Sequence, residues 1–101
     1  MLEYLTLIKF TDTPSEDTLR ERRLRLIDSL GSVVGPAQLS VSVPADRASE
    51  EAWDLRIRVG RLESATSERV VRINDSLQRE LSSTPCVRKG WFFRALSEGE
   101  S

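Results

Sequence analysis

Apolar and polar residues alternate along four short stretches of the chain, and this pattern predicts four β-strands. Residues 2–10 carry apolar side chains in both registers, which is typical of a central strand covered on both sides. Residues 37–43 and 53–59 alternate strictly, each with one apolar and one polar face. Residues 90–96 form the last apolar stretch, so we expect the final strand there.

Two longer segments carry apolar residues at helical spacing. The first helix is predicted over residues 14–30, because Thr13 to Glu16 form a capping box with proline at the first helical position and Gly31 supplies a stop. The second helix is predicted over residues 66–82, where leucine, isoleucine and valine recur every three or four positions. Residues 64–67 offer several candidates for its N-cap.

The order strand, helix, strand, strand, helix, strand predicts an α+β domain with the ferredoxin-like βαββαβ topology. Right-handed crossovers place both helices on one face of a four-stranded antiparallel sheet. The length of 101 residues corresponds to a single domain over residues 1–101, in which the polar residues 97–101 are predicted to form a frayed tail.

Two helices can cover only one face of such a sheet. If the apolar face of the third strand lies under the helices, Asp54, Arg56 and Arg58 lie on the open face, where the first strand adds Leu5 and Leu7. An open face that mixes aliphatic and charged side chains suits a partner sheet. We therefore predict a homodimer through the open sheet face, forming a dimeric α+β barrel. The alternative is a monomer with scattered surface leucines.

Composition and charge exclude several classes of partner. The 15 Lys+Arg and 16 Asp+Glu residues give a net charge of -1, so we expect no nucleic-acid partner and no membrane partner. No apolar run approaches the roughly 18 residues of a membrane helix, and the first residues lack the basic segment of a signal peptide. With the single cysteine Cys86, these features predict a cytoplasmic protein.

Catalytic chemistry is restricted because the chain has no histidine. Ser-His-Asp and Cys-His nucleophile pairs, histidine bases and histidine metal sites cannot form. A lone cysteine makes neither an internal disulfide nor a cysteine metal cluster, and the five glycines are scattered rather than gathered in a phosphate loop. We therefore expect no metal and no cofactor, and the sequence identifies no catalytic residue.

Four residues are candidates for binding a small ligand. Tyr4 could orient or protonate a ligand between the sheet and the helices, although a tyrosine at the edge of a core needs no function. Arg56 and Arg58 could grip a carboxylate or phosphate, or form ion pairs across strands or across a dimer. Asn74 could hydrogen-bond a ligand from the second helix, or cap a backbone group.

Other conspicuous residues favour a structural interpretation. The aromatic residues 91–93 follow the basic residues 88–89, but the third strand lacks the basic-glycine-aromatic octamer of RNA-recognition domains. Trp53 is predicted to lie in the core, on the helix-facing side of its strand. Cys86 is predicted to be a buried thiol without an adjacent base.

Two short motifs resemble one known family. Residues 4–10 (YLTLIKF) resemble the first strand of the stress-responsive A/B barrel family, which commonly reads histidine, four apolar residues, lysine and phenylalanine. Residues 62–64 (LES) stand where that family has Phe-Glu-Ser before its second helix. Element order and length agree over nearly the whole chain. The resemblance implies a dimeric α+β barrel.

The resemblance does not carry over the catalytic residues of the family's polyketide cyclases. Those enzymes use a histidine on the first strand, with a tyrosine and a histidine on the second helix. Here the first-strand position holds Tyr4, and ungapped counting from Leu62 puts Val71 and Leu77 at the two helix positions. Cyclisation that depends on histidine is therefore not expected.

These observations favour one function and leave two alternatives open. We expect a small dimeric protein that binds a small organic ligand, or acts as a stress-associated module, without histidine-based catalysis. The first alternative is a cofactor-free cyclase or monooxygenase-like enzyme of the dimeric barrel type. The second is an ACT-like regulatory domain, which shares the element order. That domain relies on a glycine after the first strand, where this chain has threonine and aspartate at positions 11–13.

Overall fold

The sheet and its two helices follow the predicted order. The computed structural model describes residues 1–35, 38–43, 53–64 and 66–94. The elements are β1 (Leu2–Phe10), α1 (Glu16–Gly31), β2 (Leu39–Ser42), β3 (Leu55–Leu62), α2 (Glu68–Leu81) and β4 (Cys86–Arg94). The strands lie in the order β2-β3-β1-β4, and every neighbouring pair is antiparallel. This topology confirms the ferredoxin-like fold. The predicted tail, residues 97–101, lies outside the described residues.

β1 runs through the middle of the sheet and pairs with β4 along its whole length. The paired Cα positions run from Leu2 opposite Arg94 to Phe10 opposite Cys86. β4 therefore begins at Cys86, and the predicted start at residue 90 is wrong. The basic residues 88–89 interrupt the apolar pattern, so the pattern alone predicts a strand that starts after them. The extent of β4 is set instead by its pairing with the nine residues of β1.

β3 lies further along the chain than the alternation predicts. It begins at Leu55 and continues past residue 59 to Leu62. Its last part is irregular, because the register with β1 shifts and Arg61 adopts a positive φ of 58°. A bulge of this kind adds a residue and bends the strand. β2 is shorter than predicted: it ends at Ser42, and Val43 beyond it is exposed.

Both helices begin at serine N-caps. The Ser15 and Ser67 hydroxyls accept hydrogen bonds from the backbone N–H three residues further on, at 3.2 and 3.4 Å. α1 therefore starts later than the predicted capping box, whose Thr13 has a φ of 49° in the turn before the helix. The C-cap is Ser32 in a right-handed conformation, so Gly31 is the last helical residue rather than the stop.

The core lies between the helices and one face of the sheet. β1 contributes one of its two alternate rows, in which Thr6 and Ile8 are completely buried and Tyr4 and Phe10 nearly so. The other buried apolar side chains come mainly from α1, α2, β2 and β3: Leu19, Leu26, Leu30, Val34, Val41, Leu55, Ile57, Val59, Leu62, Val70, Ile73 and Leu77. The second face of the sheet is the open face, because both helices lie on the first.

Candidate functional site

Two of the candidates, Tyr4 and Asn74, meet at a polar contact between the sheet and a helix. Tyr4 projects from β1 under α2, and its side chain is 6% exposed. Its hydroxyl donates a hydrogen bond to Asn74 Oδ1 of α2 at 3.3 Å. Its ring stacks on Phe92 of β4, with the ring centroids 4.9 Å apart. We refer to Tyr4, Asn74, Gly90 and Phe92 as the Tyr4 cluster.

Gly90 makes room for the tyrosine ring. The register between β1 and β4 places Phe92 directly opposite Tyr4 and Gly90 opposite Thr6. A Cβ atom at position 90 would stand 2.6 Å from the Tyr4 hydroxyl oxygen and 2.9 Å from a ring carbon. Cβ contacts shorter than 3.0 Å are essentially never seen. The ring therefore lies over the β4 backbone only because residue 90 has no side chain.

The polar groups of the Tyr4 cluster are neutral. They are a phenol and a carboxamide, and next to them the Thr6 hydroxyl donates a hydrogen bond to the Lys89 carbonyl oxygen at 2.9 Å. Neutral groups that are hydrogen-bonded can be buried at modest cost. The cluster can offer a ligand an aromatic surface and hydrogen-bonding groups. A tyrosine hydroxyl and an amide are poor general bases at neutral pH.

Phe92 leaves this cluster open on one side. One face of its ring stacks on Tyr4, yet 40% of the side chain is exposed. Arg88, which lies on the same side of β4 opposite the buried Ile8, is also exposed. α2 therefore does not cover β4, and an aromatic surface remains accessible beside a buried hydroxyl.

Arg56 and Arg58 lie on the opposite side of the sheet from Tyr4. They pair with Leu7 and Leu5 of β1, whose side chains point away from the helices. Both arginines are exposed, and Arg58 forms an ion pair with Glu3. The hydrogen bond to that carboxylate raises the pKa of Arg58 above its ordinary value. The four predicted ligand residues thus divide into two pairs on two faces.

The open face also carries an apolar band along β1 and β4. Trp91 lies opposite Leu5, and Phe93 opposite Glu3, on the edge strand. Trp91 is 42% exposed and Phe93 is 47% exposed, while Leu5 and Leu7 are half-buried. Two large aromatic side chains are thus exposed on a sheet face that the described helices do not cover.

Trp53 is half-buried rather than part of the core. Because β3 begins only at Leu55, the alternation that predicted a helix-facing indole does not extend to residue 53. The Lys89 ammonium, from the open-face row of β4, lies 5.9 Å from the centre of the Trp53 ring. The prediction of a core position for Trp53 is therefore wrong.

Cys86 lies at the start of β4 and is half-buried. Burial raises the pKa of its thiol above the ordinary value, which disfavours the nucleophilic thiolate. Among the described residues, no group of three or more histidine, cysteine or acidic side chains could hold a metal ion. Neither helix in the described ranges is long and apolar enough to cross a membrane.

Sequence reasoning missed two members of the Tyr4 cluster, Gly90 and Phe92. The signal for Gly90 was present, because a glycine inside an apolar strand stretch marks a close approach of another group. The sequence pattern identifies Phe92 only as part of an apolar strand. Its partner could be found only from the register between β1 and β4.

Comparison with known proteins supports the fold. No family model matches the chain, and no curated protein matches it. A dimeric protein of unknown function with a ferredoxin-like fold from Bacteroides fragilis is similar, with 16% identity, a TM-score of 0.50 and coverage of 93% of this chain and 95% of that chain. A dimeric ferredoxin-like protein of unknown function from Thermobifida fusca has 14% identity, a TM-score of 0.60 and coverage of 93% and 90%.

A third similar structure is the protein At3g17210 from Arabidopsis thaliana. It has 12% identity and a TM-score of 0.60, and the match covers 96% of this chain and 99% of that chain. At identities this low, the likeness shows the ferredoxin-like fold alone. The Bacteroides fragilis and Thermobifida fusca proteins are described as dimeric.

Proposed function

We propose that the chain forms a homodimer through its open face and binds a small planar organic molecule at the Tyr4 cluster, without a histidine base. The main support for the ligand site is the difference in exposure between the two stacked rings, Tyr4 and Phe92. Tyr4 is buried and hydrogen-bonded, whereas 40% of Phe92 is exposed beside it. An exposed aromatic ring next to a fixed hydroxyl is suited to stacking and orienting a planar ligand.

The homodimer is supported by the composition of the open face. An isolated chain leaves Trp91 and Phe93 more than two-fifths exposed, beside half-buried leucines of β1. Aromatic side chains of this kind are enriched in protein interfaces. Two structures with the same fold are dimeric, which supports the same assembly here.

The motif at residues 4–10 supports a role of the stress-responsive A/B barrel kind, and the single cysteine supports a cytoplasmic location.

A second candidate function, that of a cofactor-free enzyme, is favoured by the Tyr4–Asn74 hydrogen bond because this bond fixes the direction of the phenol hydroxyl. In such an enzyme the Tyr4 hydroxyl, whose proton is donated to Asn74, would accept a hydrogen bond from the substrate. A Tyr4→Phe variant with undiminished turnover would exclude that role.

The dimer is tested by light scattering at low micromolar concentration. We expect a mass near twice 11.4 kDa. A mass near 11.4 kDa under all conditions would contradict the homodimer.

The ligand site is tested with 2-naphthol, a planar and neutral aromatic alcohol, by following amide shifts in NMR spectra. We expect shifts at Gly90, Phe92 and the Asn74 side chain, and weaker binding in Phe92→Ala. The matched control is Leu24→Ala, which removes another exposed apolar side chain, 51% exposed against 40% for Phe92, from α1. Shifts confined to the open face, or equal losses in both variants, would contradict the proposed site.

A further inference from the structure

The two edges of the sheet differ in how they are protected against pairing with a further strand. β2 forms one edge and β4 forms the other. β2 has only four residues, and the Arg23 guanidinium donates a hydrogen bond to its Val41 carbonyl oxygen at 2.9 Å. β4 has nine residues, contains no proline and keeps a regular register with β1 throughout. Short strands and covered backbone groups close the edges of many sheets, and within the described part of the chain β4 has neither.

Alternate residues of β4 direct their backbone groups to its free edge. The Thr11 N–H donates a hydrogen bond to the Pro85 carbonyl oxygen at 2.9 Å, and this pair continues the register between β1 and β4. Antiparallel pairs alternate between those that exchange hydrogen bonds and those that do not. The odd-numbered residues of β4 therefore bond to β1, whereas Arg88, Gly90 and Phe92 direct their N–H and C=O groups outward. Among the described residues, no hydrogen bond reaches these outward groups.

The sequence of β4 is self-complementary about its middle residue, Gly90. Two antiparallel β4 strands centred on Gly90 overlap along their whole length, and the outward residues of one copy meet the outward residues of the other. The opposed pairs are then Arg88 with Phe92, Lys89 with Trp91, Val87 with Phe93 and Cys86 with Arg94. No two like charges face each other, and two of the cations lie opposite aromatic rings, an arrangement that is attractive.

Other registers of two β4 strands lack this match. A two-fold axis at residue 89 places Lys89 opposite Lys89, and an axis at residue 91 places Arg88 opposite Arg94. Like charges directly opposite each other destabilise a strand pair. An axis between two residues would oppose the outward backbone groups to residues that already bond to β1. The charge pattern and the hydrogen-bonding pattern therefore select the same axis, at Gly90.

From these patterns we infer that β4 pairs with β4 of a second copy, antiparallel and centred on Gly90, so that two four-stranded sheets become one continuous sheet. The inference does not rest on the homodimer proposed above, because it uses the edge of the sheet and leaves the open face available. The second copy also contributes to the Tyr4 cluster, since its Arg88 lies opposite the exposed Phe92. Where both interfaces form, edge pairing joins two homodimers.

The test follows amide hydrogen exchange along β4 at low micromolar and at sub-millimolar protein concentration. Backbone hydrogen bonds contribute modestly to association, so we expect edge pairing at the higher concentration. An unpaired edge protects only the odd-numbered amides of β4, which bond to β1. Edge pairing adds protection at Arg88, Gly90 and Phe92, and their exchange should slow about tenfold when about nine-tenths of the chains are paired.

The register is tested in a sample that mixes isotope-labelled and unlabelled chains. The Hα atoms of Lys89 and Trp91 from opposite copies lie close together in the Gly90 register, so we expect a nuclear Overhauser effect between them. An effect between two Lys89 Hα atoms would overturn the inference. Outward amides that stay unprotected in an associated sample would also overturn it, leaving the homodimer standing and the edge to an extended segment of another protein. A chain that is monomeric at every concentration would overturn both proposals.

Two variants of one residue separate the backbone from the side chain. Arg88→Pro removes an outward N–H, and edge strands tolerate proline where the N–H faces solvent. It should abolish the concentration-dependent protection of Gly90 and Phe92. The matched control, Arg88→Ala, removes the same side chain but keeps the N–H, so it should retain that protection. Protection that survives in Arg88→Pro would overturn the inference. Protected odd-numbered amides show that each variant is folded, and if Arg88→Pro does not fold, the register measurement on the unmodified chain decides.

Discussion

The two faces of the sheet are built from neighbouring residues of the same strands, but one face is buried under the helices and the other is not. On β1, Ile8 is completely buried under the helices, whereas the adjacent Leu7 points to the open face and is only half-buried. On β4, Phe92 stacks on Tyr4 while Trp91 and Phe93 point the other way. One face is completed within the chain, and the other has no cover from the described helices.

The polar groups are divided in the same way. The covered face contains neutral groups with partners inside the chain, such as the Tyr4 hydroxyl and the Thr6 hydroxyl. The open face carries Arg56 and Arg58. A neutral hydroxyl that is hydrogen-bonded can be buried at low cost, whereas an unpaired charge cannot. The charge distribution therefore separates the face that folding buries from the face that the described helices leave open.

The largest expected effect is the loss of a side chain from the completed face. Ile8→Ala should lower the free energy of unfolding by about 3 kcal/mol, because it removes buried methyl groups and leaves a cavity. The loss should be the same at every protein concentration, which urea unfolding at two concentrations can check. Leu7→Ala is the matched control, and its effect should depend on how much dimer is present. Equal, concentration-independent losses in both variants would remove the distinction between the faces.

The next effect concerns the open face. Trp91→Ala should raise the dimer dissociation constant about thirtyfold, which corresponds to about 2 kcal/mol for an aromatic residue central to an interface. Phe92→Ala is the matched control, since the ring next in sequence lies on the other face. Sedimentation of both variants checks the difference. If Phe92→Ala weakened the dimer as much as Trp91→Ala, the open face would not be the interface.

A smaller effect is expected from the glycine beneath the tyrosine. Gly90→Ala should cost about 1.5 kcal/mol of unfolding free energy, because the new Cβ atom forces the Tyr4 ring away from its position. Gly60→Ala is the matched control, since a Cβ atom there meets nothing within 4 Å. Urea unfolding measures both losses, and the ring current shift of Phe92 reports whether the stack persists. A neutral Gly90→Ala would show that the Tyr4 ring is free to move.

The fold could be predicted from the sequence because its signals are local. The strict alternation of β3 and the apolar stripe of α2 identify the covered face without any knowledge of the neighbours. The ends of the strands depend on pairing between strands. β4 begins at Cys86 because Phe10 of β1 pairs with it, although the basic residues 88–89 resemble a loop in the sequence.

The candidate site was predicted only in part, because a site joins residues that are distant in sequence. Tyr4 and Asn74 were selected separately, and their hydrogen bond follows from the packing of α2 over β1. Arg56 and Arg58 were grouped with them as ligand residues, yet alternation alone already placed the arginines on the other face. The core position predicted for Trp53 is wrong because residue 53 precedes β3, which begins at Leu55, so the alternation of the strand does not apply to it.

The smallest expected effect concerns an ion pair that belongs to neither face. Arg22 of α1 forms two hydrogen bonds to the Asp12 carboxylate, at 2.6 and 3.0 Å, and these hold the pKa of Asp12 below its ordinary value of 3.8. A carboxyl group whose pKa is lower in the folded chain stabilises it above the unfolded pKa, and this contribution disappears as the pH falls through the folded pKa.

Asp12→Asn should therefore destabilise the chain slightly at pH 7 and have no effect at a pH below the folded pKa of Asp12. The effect is small because both side chains are partly exposed, at 21% for Arg22 and 34% for Asp12. Urea unfolding at several pH values measures it, with Asp28→Asn, an exposed aspartate further along α1, as the control. The dimer dissociation constant at pH 7 should not change in Asp12→Asn, because Asp12 lies in the turn before α1 and Arg22 lies on α1, away from the open face. A change there would mean that the interface extends beyond the open face.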